Sequence, residues 1–149
     1  MKKFKNRKAA RDFFFTEDLE VGIVLKGTEI KSIRAGKLSF KDSYADIVDD
    51  EVWLYNMHIT PYAKGNYFNH KPERKRKLLL KKKEIKKLKK KVQERGYKLI
   101  PRELYINEDG LAKIVLALAK GKKLYDKRET LKKRSHMREI EREKKQKNW

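Results

Sequence analysis

No cysteine occurs in the 149 residues, so neither a disulfide nor a cysteine-ligated zinc can hold this fold, and the redox compartment is left unmarked. Long apolar runs are missing too. The N-terminal stretch MKKFKNRKAARDFFF begins basic but carries only a three-residue apolar cluster, too short for a secretory core or a membrane span. A cytoplasmic protein without membrane contact is therefore expected. Catalytic signatures are equally scarce. His58, His70 and His136 stand far apart without metal-ligand spacing, and there is no glycine-rich phosphate loop or nucleophile elbow. The acids mostly sit in turns or opposite lysines, so no carboxylate cluster suggests a metal. These absences argue against an enzyme and leave no cofactor or metal to expect.

What the chain has in excess is positive charge. The formal net charge is +21 and the pI about 10, with 42% charged and 38% hydrophobic residues. Self-repulsion of that size calls for a strongly acidic partner. Nucleic acid is the default, because neutralising phosphates releases condensed counterions. An anionic membrane surface fits less well, since the basic segments lack the Trp/Phe/Leu-rich face of an interfacial helix.

The length suits one domain with extensions. A seam falls in AKIVLALAKGKKLYDKR (residues 112–128), where an apolar run gives way at Gly121 to a charged tail. Three parts result: a basic arm over 1–11, ordered only at its C-terminal end, a folded body over 12–122, and a basic tail over 123–149, disordered until something acidic orders it. Within the body, Val21–Leu25 reads as a strand ended by Lys26-Gly27. In TEIKSIRAG, Thr28 can cap a short helix that turns Ile30 and Ile33 inward and Lys31 and Arg34 outward, with Gly36 ending it in a left-handed conformation. SYADIV, a turn at 49–51 and VWLYNMHI form a hairpin. Residues 61–77 form a long loop with turn residues and no apolar period. Ile85, Leu88 and Val92 repeat at helical spacing up to Gly96. A second hairpin joins YKLIPRELYI to LAKIVLALA through Asn107–Gly110. The sum is mainly β with added helices (α+β), and a small closed antiparallel barrel is expected because closure removes exposed edges.

Two features point to the partner. Residues 71–91 hold thirteen Lys or Arg against Glu73 and Glu84, with like charges crowded at the i,i+4 spacing where a solvated face would mix signs. The loop GNYFNHKPERKRK interleaves Tyr67, Phe68, Asn66, Asn69 and His70 with cations. Rings that stack, amides that read base edges and arginines that hold phosphate suit structured or single-stranded RNA. Arg74 and Arg76 are favoured as contacts; Tyr67 and Phe68 could equally pin the loop to the body. Glu29 with Lys31 could be imagined as an acid/base pair, but a Glu at a helix start is more often a cap.

The chain resembles the tmRNA-binding protein family, also called SsrA-binding protein or small protein B. The likeness lies in Asn6-Arg7-Lys8-Ala9, GIVLKGTEIKSIRAG (22–36), KDSYADI (41–47), NHKPERKRKLLL (69–80), QERGY up to residue 97 and ALAKGKKLYDKR (117–128). It implies an oligonucleotide-binding (OB) barrel. It also implies a role in which the tRNA-like part of transfer-messenger RNA is bound and brought to stalled ribosomes for trans-translation.

On this resemblance the RNA-binding face falls on Glu29, Lys31, Leu79 and Lys113, with Glu29 presenting its carboxylate to exocyclic amines or 2′-hydroxyls. Together with the residues singled out above, the expected tmRNA set is Lys8, Glu29, Lys31, Arg34, Asn66, Asn69, His70, Arg74, Arg76, Lys77, Leu79 and Lys113. The expected ribosome set, toward ribosomal RNA of the decoding site and message channel, is Gly121, Lys122, Lys123, Tyr125, Asp126, Lys127, Arg128, Lys132, Lys133 and Arg134. The resemblance has the tail sense an empty message channel by entering it as a helix. Tyr125 stands where some relatives have His, so stacking is kept while any imidazole-specific role is not. With no heptad or exposed apolar patch, a monomer is expected. A general RNA-binding or ribosome-associated structural protein explains charge and tail, but not the joint presence of GTEIKS and GKKLYDKR.

Overall fold

A computed structural model of the chain describes residues 2–64 and 69–122. In chain order the elements are β1 (Lys3–Lys5), α1 (Arg7–Asp12), β2 (Phe13–Ile23), α2 (Gly27–Arg34), β3 (Leu38–Ser39), β4 (Tyr44–Val48), β5 (Glu51–Tyr55), β6 (His58–Ile59), β7 (Arg76–Leu79), α3 (Lys82–Arg95), β8 (Lys98–Ile106) and β9 (Ala112–Gly121). The fold is thus mainly β with a few helices. Its main sheet runs β1-β8-β4-β5-β7-β2-β9, and β8 also pairs with β9. The pairings therefore return to β8, and all of these strands except β1 form a closed ring. The closure is uneven. β8 and β9 pair along their length, whereas β4 meets β8 only at Ala45↔Leu99.

Local chemistry accounts for the elements. Asp49 and Asp50 both take positive φ, 50° and 60°, the pairing needed for a two-residue turn whose twist matches its strands. That turn sets the β4–β5 register from Val48↔Glu51 to Tyr44↔Tyr55. Helix α2 closes with the N–H of Gly36 bonded to Ile33 O and that of Lys37 to Ser32 O, both at 2.9 Å. This is a Schellman motif, with Gly36 at φ +74°. Helix α3 starts with the Glu84 carboxylate accepting the Lys81 N–H at 2.8 Å and stops at left-handed Gly96.

The core lies inside the ring. Val52, Leu54, Ile59, Leu104 and Ile114 are fully buried, α2 adds Ile33 and α3 adds Leu88, with Ile30, Ile85 and Val92 packed against them. On β9 the alternation is visible: Ile114, Leu116 and Leu118 face this core, while Ala119 belongs to a second cluster with Ala9 and Ile100, under α1.

Several expectations are corrected. The N-terminal arm contains β1, paired Lys3↔Tyr105 through Lys5↔Glu103, and α1, whose Asn6 cap accepts the Ala9 N–H at 3.2 Å. The strand expected at Val21–Leu25 begins at Phe13 and ends at Ile23, with a register shift between Phe15 and Glu17. VWLYNMHI is not one strand, because Asn56 at φ +66° ends β5 and sends His58–Ile59 to pair with β3. Thr28 does not cap α2. Lys26 stands at the cap, with its N–H donating to Glu29 Oε1 at 2.7 Å.

Candidate nucleic-acid interface

Under the basic loop lies a buried ion cluster. Glu29 and Arg76 have no exposed surface. Arg76 Nε donates to Glu29 Oε2 at 2.5 Å, Nη1 to Met57 O at 2.7 Å and Nη2 to Pro72 O at 3.1 Å. Arg74 Nη2 donates to Glu29 Oε1 at 2.6 Å and to Val24 O at 3.3 Å. Every guanidinium nitrogen of Arg76 is used, which a buried charge requires. Burial pushes the Glu29 carboxyl up, but hydrogen bonds from Arg74 and the Lys26 N–H, with the Arg76 charge, hold it below its ordinary value. His70, 3% exposed, adds a neighbouring tie. Its Nε2 meets Ile59 O at 2.8 Å and its Nδ1 meets Thr28 Oγ1 at 2.9 Å. A carbonyl can only accept, so in the neutral ring Nε2 carries the proton and Nδ1 accepts from the Thr28 hydroxyl.

These contacts overturn the outward reading of Glu29, Arg76 and His70. Their polar atoms bind α2 to the loop and to β6. Asn69 is also spent locally: its Nδ2 donates to Tyr62 O at 2.6 Å and its Oδ1 accepts the Tyr62 N–H at 3.1 Å, closing the neck of the loop. Asn66, Tyr67 and Phe68 lie outside the described residues. Arg74 reaches the surface, with its side chain 24% exposed above the cluster.

The outer face of the ring brings other expected residues together. Gly22 pairs with Leu79 on one side and Lys113 on the other, Lys113 pairs with Tyr105, and Tyr105 with Lys3. Residues directly opposite in antiparallel strands share a face. One row thus crosses five strands: Leu79, Gly22, Lys113, Tyr105, Lys3. A Cβ on Gly22 would sit 3.3 Å from Leu79 Cδ1, so Leu79, 53% exposed, leans across the bare backbone toward Lys113.

Glu20, one step along β2, was not anticipated. Its carboxylate, as hydrogen-bond acceptor for the Tyr105 phenol, together with burial and the charges of Glu20 and Glu103, pushes the phenol up to about 12. The signal was present as the alternation of Glu20 and Gly22 within a strand, but it could be read only once β2 was known to extend through this segment.

Lys31 and Arg34 share the exposed face of α2. Lys31 Nζ lies 5.5 Å over the Tyr62 ring, and the Arg34 guanidinium lies beside Gly110 in the β8–β9 turn. Lys77 is half-exposed and pairs with Glu51 at 3.4 Å. Next to it β5 and β4 present Trp53 under Lys75 at 4.8 Å, and Tyr44 stacked on Tyr55 at 5.3 Å. Lys8 stands apart from this face. It is paired with Asp42 at 2.7 Å beside a cavity that Gly121 also lines. Lys122 donates to Ala10 O at 3.0 Å. Lys123, Tyr125, Asp126, Lys127, Arg128, Lys132, Lys133 and Arg134 lie outside the described residues.

Among the described residues no group of three or more His, Asp or Glu could hold a metal ion, and no helix is long and apolar enough to cross a membrane. Comparison with known proteins gives a consistent result. The model of the family described as SmpB protein matches residues 3–146. The SsrA-binding protein of Halothermothrix orenii is 56% identical over 138 residues, covering 93% of this chain and 88% of its own. That of Desulfitobacterium hafniense is 58% identical over 137 residues, covering 92% and 87%. That of Bacillus subtilis is 56% identical over 138 residues, covering 93% and 88%. A chain in the solved structure "tmRNA-SmpB: a journey to the center of the bacterial ribosome" superimposes with a TM-score of 0.69 at 50% identity, covering 80% of this chain and 84% of that one.

Proposed function

The chain belongs to the SmpB family, and from that premise we propose that it binds tmRNA through its tRNA-like domain and acts with it on stalled ribosomes in trans-translation. The observation that carries this reading is the match, at 50% identity, to a chain in a structure of tmRNA and SmpB in the ribosome. The closed ring of strands is read as an OB-type barrel, whose outer face serves RNA-binding proteins on many occasions. The place of action is the cytoplasm, where ribosomes work. The body up to residue 122, with β1 and α1 included, binds RNA, and the tail over 123–149 meets the ribosome.

The exposed row supports the division of labour. Lys113 and Lys3 supply charge, Leu79 an apolar contact for a base or ribose, and Glu20 with Tyr105 a polar pair able to accept from the 2′-hydroxyls and exocyclic amines that set RNA apart. Lys31, Arg34 and Arg74 extend the positive surface. Glu29 acts beneath it, as the anion that fixes Arg74 and Arg76. The tail, rich in lysine, fits a vacant channel walled by phosphate, where it folds as a helix.

The test is a binding competition at fixed physiological salt: labelled tRNA-like domain challenged by excess tRNA and by random RNA of equal length. A clear preference for the tRNA-like domain is expected. Equal competition by all three would replace this reading with that of a general RNA binder, since a chain this basic binds any RNA at low salt.

A further inference from the structure

The outer face of β4, β5 and β7 holds rings that the row through Leu79 and Lys113 does not use. Alternation turns Tyr44 and Val48 of β4, Trp53 and Tyr55 of β5, and Lys77 and Leu79 of β7 away from the core. Six large apolar side chains are exposed among the described residues, and Val24, Tyr44, Val48 and Leu79 stand on this face or at its edge with β2. Apolar surface gathered in one place marks a contact site.

The rings are ordered. Tyr44 stacks on Tyr55 across the β4–β5 pair, with centroids 5.3 Å apart and planes 24° from parallel. Tyr44 remains 42% exposed, so the stack is open to a further planar group. Trp53 stands two residues along β5 from Tyr55, about 7 Å away at the usual rise. Lys75 Nζ lies 4.8 Å over the Trp53 ring, and Lys75 enters no ion pair among the described residues.

The acids of this face are Asp46 and Glu51. Glu51 is paired with Lys77 at 3.4 Å. Asp46, opposite Trp53 on β4, uses Oδ1 to accept the Ile47 N–H at 2.9 Å and keeps its other oxygen for a donor. With lysines and carboxylates in balance, the face is suited to contact through rings rather than through counterion release. A second copy of the chain, with the same formal charge of +21, is repelled, whereas a polyanion is drawn in.

We propose that this face is a stacking platform for a short unpaired stretch of RNA. One base continues the Tyr44–Tyr55 stack, and the next lies on Trp53 as Lys75 moves from the ring to a phosphate. Asp46, between the two positions, accepts from the exocyclic amine that adenine, cytosine and guanine have and uracil lacks. The platform rests on the reading of the chain as an RNA binder and adds a site that the Leu79–Lys113 row does not include.

The chain has two tryptophans, Trp53 and Trp149, so Trp149→Phe leaves Trp53 as the reporter. In that full-length variant, a labelled short oligoadenylate is titrated at fixed physiological salt, with anisotropy read for binding and tryptophan emission for stacking. Quenching of Trp53 in step with anisotropy is expected, with severalfold weaker binding of oligouridylate of the same length. Added to it, Tyr44→Leu should weaken oligoadenylate binding about tenfold and Tyr44→Phe should not, which separates ring stacking from apolar cover. Asp46→Ala should narrow the preference for adenylate over uridylate. No binding, binding without quenching, or equal affinity of Tyr44→Leu and its parent would overturn the platform, even with preference for the tRNA-like domain intact. Quenching and the Tyr44 effect without that preference would support the platform and remove the tmRNA reading instead.

Discussion

Glu29 shows how far one side chain can depart from its surface reading. Its place at the start of α2 was legible, because a Glu three residues past a helix start accepts a backbone N–H, as it does from Lys26. Its burial was not, because the arginines that enclose it stand 45 and 47 residues away and no local pattern encodes that meeting. The consequence is energetic. Glu29→Gln leaves Arg76 a buried cation without its anion, so urea unfolding should show a loss of about 3–5 kcal/mol. The pH dependence follows from the same pair. The folded-state carboxyl is held below its ordinary 4.5, so its contribution is complete above that value and is lost as pH falls through the lower, folded one. Unfolding free energy measured from pH 6 to pH 3 should decline below about 4.5 in the parent, and Glu29→Gln should lack that part of the slope. An unchanged slope in the variant would remove Glu29 as its source.

At the level of elements, both hairpins and α3 were readable because turn chemistry and apolar period agreed. β1 was not: Lys3–Lys5 has one apolar residue, and its strand conformation rests on pairing with β8 a hundred positions on. The early half of β2 escaped for a related reason, since Thr16, Glu17 and Asp18 are exposed on both faces of the strand and a bulge breaks the alternation. Two substitutions probe these elements. Gly22→Val places branched carbon against Leu79 and should displace that side chain. Affinity for the tRNA-like domain is expected to fall severalfold by filter binding, while the thermal midpoint moves little. Full retention of affinity would detach the Leu79–Lys113 row from RNA binding. Gly96→Ala strains the left-handed end of α3, where φ is +67° and nothing among the described residues crowds the site, and should cost about 1 kcal/mol in chemical unfolding.

The whole molecule carries a formal charge of +21, and most ion pairs among the described residues are exposed and individually weak. Screening should then relieve more repulsion than it removes attraction. Thermal scans between 0.05 and 0.3 M NaCl are expected to show a rising midpoint, and a falling one would show that the surface pairs dominate. Overall sign and partner class were legible in composition alone; which cations face outward was not, because Arg74 and Arg76, two apart, both turn to Glu29 and only Arg74 keeps part of its side chain at the surface. A last consequence belongs to β9. Lys113 in the exposed row and Gly121 stand near the two ends of one strand, about 27 Å apart at the usual rise. β9 is therefore a spacer: if the exposed row is where RNA binds, as proposed, the strand sets how far from it the chain after Gly121 begins. Lengthening it by two residues would move the point of release by about 7 Å with every side chain still facing its own side, whereas one residue would reverse them all.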